Sequence, residues 1–222
     1  MKEDANRALE QIVTQVKEHL KFQKGLGIHT LLTQGKTHAT LTLDDIRQEL
    51  GACTRCRLHE GRHNLVFGAG DPHARLVFVG EGPGRDEDLQ GTPFVGRAGE
   101  LLTRIIEAID LTREEVYIAN IVKCRPPNNR DPRPDEIQTC LPFLLKQLEA
   151  IKPRIICCLG TFAAQTLLET DEKISALRGR FHPFRGAKLM PTYHPAFLLR
   201  NPHFKRAVWE DMQAIREEYK KG

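Results

Sequence analysis

Four cysteines, a glycine turn running into acids, an asparagine inside an apolar run and a histidine just after another carry most of the chemistry in this sequence. Cys53 and Cys56 form a C-x2-C pair, and Cys124 and Cys140 lie far downstream. Four thiolates brought together make a four-sulfur site, and on spacing alone soft sulfur suits zinc or iron–sulfur equally. Two unrelated buried pairs are the plain alternative. Cys157 and Cys158 sit in the middle of RIICCLG, where cysteine behaves as a small hydrophobe, and are read as structural.

The stretch GEGPGRDEDLQGTPFVG, residues 80–96, offers a second kind of chemistry. Gly80, Gly82 and Gly84 alternate as in a loop that lets a ligand lie against the backbone. Phosphate is the usual guest, but it wants bare N–H groups and a cation, and here Asp86, Glu87 and Asp88 follow at once. A dinucleotide turn would need G-x-G-x-x-G and an acid ending the second strand, where this chain has Lys123 and Cys124. The turn therefore reads as a bed for a neutral ring, with carboxylates placed for proton or water chemistry. Phe94, in GTPFVG, is near enough to stack on such a ring, although taken alone it reads better as core. Asn120 interrupts the apolar run YIANIV and, unpaired, would cost about 1–3 kcal/mol, so it needs a partner. Its amide offers a donor beside an acceptor, which matches the O4 and N3–H edge of uracil and mismatches cytosine. His194, in TYHPAFLLRNP, is placed to donate to a ring oxygen as a neutral imidazole. A lone histidine is more often structural, but four site-facing residues at four strand ends shift the balance.

A fold must bring these residues together. The chain has 222 residues, 40% of them hydrophobic and 28% charged, which suits one domain with an extension. A net charge of +4 and a pI near 8.8 permit a nucleic-acid partner without requiring one. MKEDANRALE has no apolar signal segment and no run is long enough to span a membrane, so a cytoplasmic protein with reduced cysteines is expected. Residues 1–24 show helical spacing at Leu9, Ile12, Val16 and Leu20, and residues 24–40 read as a linker. Gly35, Lys36 and Thr37 imitate the end of a phosphate loop, but Thr30 stands where its first glycine belongs. Thr42 reads as the N-cap of a short helix that stops at Gly51. Strands over 75–80, 115–124, 154–160 and within 187–195 alternate with helices over 98–110, 134–151, 161–169 and 203–219. That order predicts an α/β fold with a parallel sheet between helices. Ligands of such sheets bind beyond the carboxyl ends of the strands, here residues 81–84, 123–130, 160 and 192–200.

Together, GEGPGRDED, GTPFVGRAGELL, NIVKCRPPNNR and PTYHPAFLLRNP, with the four cysteines interleaved, resemble the family 4 uracil-DNA glycosylases. These are the iron–sulfur branch of the uracil-DNA glycosylase superfamily. The resemblance runs from about residue 50 to the C-terminus. It implies a three-layer sandwich with a central, mainly parallel four-stranded sheet, and a domain over 41–222 preceded by a helical extension over 1–40. It also implies that Cys53, Cys56, Cys124 and Cys140 hold a structural 4Fe–4S cluster. Phe94 would stack on uracil flipped out of DNA, Asn120 would read its O4 and N3 edge, and His194 would donate to O2. Glu87 would close the C5 side against the methyl of thymine. Glu81 would orient the loop through Asn129, and the Gly82 backbone would approach the base. The better-known branch has an aspartate where Gly82 sits, so the group that activates water is not evident in the sequence.

The reaction so implied is hydrolysis of the N-glycosidic bond of uracil in single- or double-stranded DNA, leaving an abasic site. Leu198 would wedge into the stack, helped by Phe197 or Leu199, while Arg178, Arg180, Arg200, Lys205 and Arg206 are candidates to grip phosphates. A related branch that traps its DNA covalently carries a histidine in a loop after the second strand; here that place reads KCRPPNNRDP, so turnover is expected. A monomer is expected, since such enzymes scan DNA alone. Residues 1–40 read first as a helix packing on the core, and second as a docking helix for a repair or replication partner. Two rival readings are a glycosylase with a broader range over deaminated bases and a non-catalytic iron–sulfur protein that binds DNA lesions. A dinucleotide oxidoreductase is more distant.

Overall fold

The computed structural model describes residues 41–221, so the helix and linker expected over 1–40 lie outside the described residues. Thr42 opens the first element. Its Oγ1 accepts from the Asp45 N–H at 3.2 Å, and its own N–H donates to Asp45 Oδ2 at 2.9 Å. This reciprocal cap starts α1 (Leu43–Leu50), and Gly51, at φ 49°, ends it. After α1 come β1 (Ala69–Gly70), β2 (Leu76–Gly80), α2 (Arg85–Gln90), α3 (Arg97–Glu107) and β3 (Tyr117–Asn120). They are followed by α4 (Pro134–Ile151), β4 (Ile155–Leu159), α5 (Thr161–Leu168), α6 (Ile174–Leu177) and β5 (His182–Phe184). The chain closes with β6 (Ala187–Thr192), α7 (Pro195–Arg200) and α8 (Lys205–Lys220).

The strands lie in the order β1-β3-β2-β4-β6-β5. The four central strands are parallel, as expected, and their side chains alternate between two apolar faces. Val77, Val79, Ala119, Ile156, Cys158 and Leu189 pack on one side with Leu144 and Leu148 of α4 and Ala164 of α5. Leu76, Phe78, Ile118, Cys157 and Met190 pack on the other with Leu102 and Ile106 of α3 and Met212 of α8. A sheet covered on both faces is what near-continuous apolar strands require. Cys157 and Cys158 are fully buried, one on each face. The sheet has six strands, two more than the sequence predicts. The additions are antiparallel edges, β1 on β3 and β5 on β6, of 2 and 3 residues. Segments that short show no period in the sequence. No helix among the described residues is long and apolar enough to cross a membrane.

Candidate active site

Three parallel strands end under one cavity of about 390 Å³. Glu81 and Gly82 follow β2, Asn120 ends β3 in register with Gly80, and His194 follows β6. Glu81, Gly82, Glu87, Phe94, Asn120, Asn129 and His194 all line this cavity; Leu198 does not. A larger cavity of about 530 Å³, between α4 and the β5–β6 turn, is lined by Glu149, Lys152 and Arg185 among mostly apolar residues and by none of the expected site residues.

Asn120 is 2% exposed, and its Oδ1 accepts no hydrogen bond among the described residues. The ring of Phe94 lies beside it, 7% exposed, with its centroid 5.5 Å from that of His194. Two glycines make this closeness possible. A Cβ on Gly80 would overlap Asn120 Oδ1 and come within 2.7 Å of the Phe94 ring, and a Cβ on Gly99 would overlap the Phe94 carbonyl. Phe94 itself is held at φ 54°, a costly conformation for a bulky residue and one that persists where its surroundings impose it. The glycine turn thus packs the strand end against the amide and ring that face the cavity.

His194 caps α7. Its Nδ1 accepts from the Ala196 N–H at 3.1 Å, which leaves Nε2 as the protonated nitrogen. Burial of the ring, reinforced by the Arg200 charge, lowers its pKa to about 4, so the imidazole is neutral near pH 7. Gly160, at φ +94°, makes room for it: a Cβ there would stand 3.1 Å from that of His194. Glu81 shifts the other way. Burial, then the charge of Asp131, raises its carboxyl to about 7.

Two acids of the turn also hold backbone in place. Glu87 is occupied by the backbone: its Oε2 accepts from Gly84 N–H at 3.1 Å and its Oε1 from Val95 and Gly96 N–H at 3.0 and 3.1 Å. A carboxylate so engaged braces the Phe94 turn while it lines the cavity. Asp88 is fully buried and fixes His63 and Asn64. Asn129 is held by Arg125, whose Nε donates to its Oδ1 at 2.7 Å, and not by the Glu81 carboxyl. Its loop is tight, with Asn128 and Asn129 both at positive φ, and Arg130 pins it by a paired contact with buried Glu136.

The wedge expectation needs correction. Leu198 is 1% exposed and packs in the core with residues of α3 and α8, because α7 turns that side inward. Leu199 is 37% exposed. Arg178 is also committed to the fold: its guanidinium pairs with both oxygens of buried Asp211, which accepts the Thr192 hydroxyl as well. Arg200 lines the cavity, and Arg206 pairs at the surface with Glu210 at 3.3 Å.

Cys53, Cys56, Cys124 and Cys140 border a second, shared space with His59, Arg62 and Lys123. Arg62 Nη1 donates to Cys124 Sγ at 3.0 Å, and the Lys123 N–H donates to Cys140 Sγ at 3.3 Å. Burial raises both thiols, that of Cys140 to about 11. Among the described residues no three His, Cys, Asp or Glu side chains close up as ligands of a single ion. Four soft donors supplied with N–H···S contacts are a fitting donor set for a metal–sulfur group.

A parallel sheet between helices, with a polar cavity at its strand ends, defines an α/β protein with a strand-end ligand site. Residues 67–213 match the model of the uracil DNA glycosylase superfamily, and the chain belongs to that superfamily, in its type-4 branch. It is 46% identical over 184 residues to the type-4 uracil-DNA glycosylase of Archaeoglobus fulgidus, covering 79% of this chain and 92% of that one. The type-4 enzyme of Saccharolobus solfataricus is also 46% identical, with 79% and 85% covered. That of Thermotoga maritima is 45% identical, with 81% and 95% covered.

Proposed function

We propose that this protein extrudes uracil from DNA and hydrolyses its N-glycosidic bond, leaving an abasic site for base excision repair. The observation that carries the reading is the Asn120 amide, whose buried Oδ1 has no partner among the described residues and lies against Phe94 in the cavity. An acceptor so placed suits the N3–H of uracil, while Nδ2 suits O4; cytosine would present an amino group and a bare nitrogen instead. Phe94 stacks on the ring. His194 donates its Nε2–H to O2, where charge gathers as uracil leaves as an anion. A neutral donor fixed before the reaction acts mainly on that transition state. The Gly82 backbone lies along the base. Glu81, with no hydrogen bond to its carboxyl among the described residues, is the group available to place water on the sugar as it gains oxocarbenium character. Glu87 contributes by bracing the turn that carries Phe94. No lysine lines the cavity among the described residues, which favours water over a Schiff base as the acceptor of the sugar.

Cys53, Cys56, Cys124 and Cys140 are proposed to hold a 4Fe–4S cluster. The four thiols border one space and two of them receive N–H···S contacts, a soft donor set that suits a metal–sulfur group. Through these cysteines a bound cluster would tie the segment after α1 to the end of β3 and to α4, a structural role. Leu199, on the outward side of α7, is proposed as the wedge, with Arg200 beside it for phosphate. The domain is proposed to act as a monomer, and residues 1–40 as an extension to it.

The test is base release. The purified protein is incubated with an oligonucleotide carrying one uracil, then treated with alkali, with thymine and cytosine strands as controls and Asn120→Ala alongside. Cutting at uracil alone, lost in the variant, is expected. DNA binding without cutting at uracil would move the protein to the class of lesion binders.

A further inference from the structure

Lys123 is the one lysine fully withdrawn from solvent among the described residues, and nothing in the proposed chemistry uses it. It lies between the residue that reads the base and a thiol of the cluster site. Its side chain turns back along β3, and Nζ donates to the Asn120 carbonyl at 2.9 Å and to Gln147 Oε1 of α4 at 2.6 Å. Gln147 is itself fixed, since its Nε2 donates to the Phe67 carbonyl at 3.0 Å and to the Tyr117 hydroxyl at 3.2 Å. Through its own peptide, Lys123 donates to Cys140 Sγ and accepts from the Val66 N–H at 2.8 Å. It forms no ion pair with a carboxylate among the described residues. An ammonium buried without a carboxylate is expensive, and a packed apolar chain would fill the same space more cheaply. Filling space therefore does not explain it; the two carbonyl-type acceptors, with the Cys140 sulfur nearby, do.

We propose that Lys123 is a positioning residue for base recognition: its ammonium clamps the Asn120 peptide to α4 and to the cluster-binding corner, and so fixes the amide that meets the base. Asn120 is the last residue of β3; the Ile121 N–H of the same peptide donates to the Gly80 carbonyl at 2.9 Å, and Lys123 Nζ holds its carbonyl side. A small rotation of that peptide would swing the amide away from the ring edge, and displacements of about 1 Å cost on the order of 100-fold in rate. The cluster and the pocket then share one mechanical link, although the cluster takes part in no step. The inference rests on the reading of Asn120 as the residue that recognises the base.

The test uses the full chain with Lys123→Met. Iron content and visible absorbance are measured first, then amide hydrogen exchange across residues 117–123, then single-turnover uracil release. Iron per chain should be unchanged, exchange in that segment faster by about 10-fold, and release slower by about 10- to 100-fold, with KM moving less than about 3-fold. In an Asn120→Ala background, adding Lys123→Met should cost less than about 3-fold more, because the amide it positions is already gone. Unchanged exchange, loss of iron in step with rate, or a full multiplicative loss in the double variant would each overturn the proposal. If Lys123→Met does not fold, Gln147→Met removes only the α4 anchor, and faster exchange with about 3- to 10-fold slower release is then expected; no change in either sinks the idea. Wild-type protein that releases no uracil would defeat the activity reading, while the exchange result would still decide whether Lys123 holds the Asn120 peptide.

Discussion

Glu81 and His194 face the same cavity, and burial acts on them with opposite sign. The Glu81 carboxyl rises to about 7, and the His194 imidazole falls to about 4. If ionised Glu81 places the water, uracil release should climb with pH through about 7 and level off above it. His194 stays neutral throughout that range and adds no second limb. Glu81→Gln should be slow and flat from pH 5.5 to 8.5; a limb that persists in this variant would move the water-placing role elsewhere. The stability effect runs the other way. Below about 4.5 both folded and unfolded Glu81 are protonated. Between 4.5 and 7 the unfolded chain releases its proton first, so stability falls as pH rises, and the full cost is present above 7. Glu81→Gln should therefore unfold later than wild type at pH 8, by on the order of 1–3 kcal/mol, and show no gain at pH 4. Gly80 offers a steric test of the same site. Gly80→Ala puts a methyl against the Asn120 amide and the Phe94 ring. It should slow release by about 100-fold while costing about 1–3 kcal/mol in a denaturant melt.

At the scale of elements, α7 buries one of its two leucines and exposes the other. Leu198→Ala empties a core site and should cost about 2–5 kcal/mol in stability. Leu199→Ala should leave the melt within about 0.5 kcal/mol and slow release from duplex DNA more than from a single strand. Equal slowing on both substrates would remove the wedge role. The sequence hides this division, because PAFLLR offers adjacent leucines and too short a helix for a period to show which faces inward. The central strands were legible for the opposite reason: each is an apolar run bounded by turn residues, with a helix between it and the next. The helix α2 was not. RDEDLQ has one large apolar residue, Leu89, and that is 49% exposed. Its order comes from Glu87 and Asp88 bonding to backbone N–H groups of neighbouring segments, and sequence periodicity carries no trace of such bonds. The residues around the cavity were legible because each breaks the pattern of its run: an amide in an apolar strand, a histidine before a proline, acids after glycines. What each would bond to was not, as Glu87 and Asn129 demonstrate.

Across the whole molecule, the thiols of Cys53, Cys56, Cys124 and Cys140 come from three stretches of chain: one after α1, one at the end of β3 and one within α4. A group that joins them closes two long loops, so its loss should be felt first in the segment between α1 and β1. Cys140→Ala should lose its visible absorbance and become sensitive to protease between residues 51 and 66 before the sheet opens. Full iron content in that variant would exclude Cys140 as a ligand. The pocket, by contrast, is set by strands packed on both faces and by a turn in a strained conformation. Such a cradle has little slack with which to reach into a helix and pull. A pair that opens readily by itself then leaves less for the wedge to do. A wobble pair with guanine opens more readily than a pair with adenine. Under single-turnover conditions, uracil opposite guanine should then leave several-fold faster than uracil opposite adenine in the same flanking sequence. An equal rate would mean that opening of the pair does not limit release.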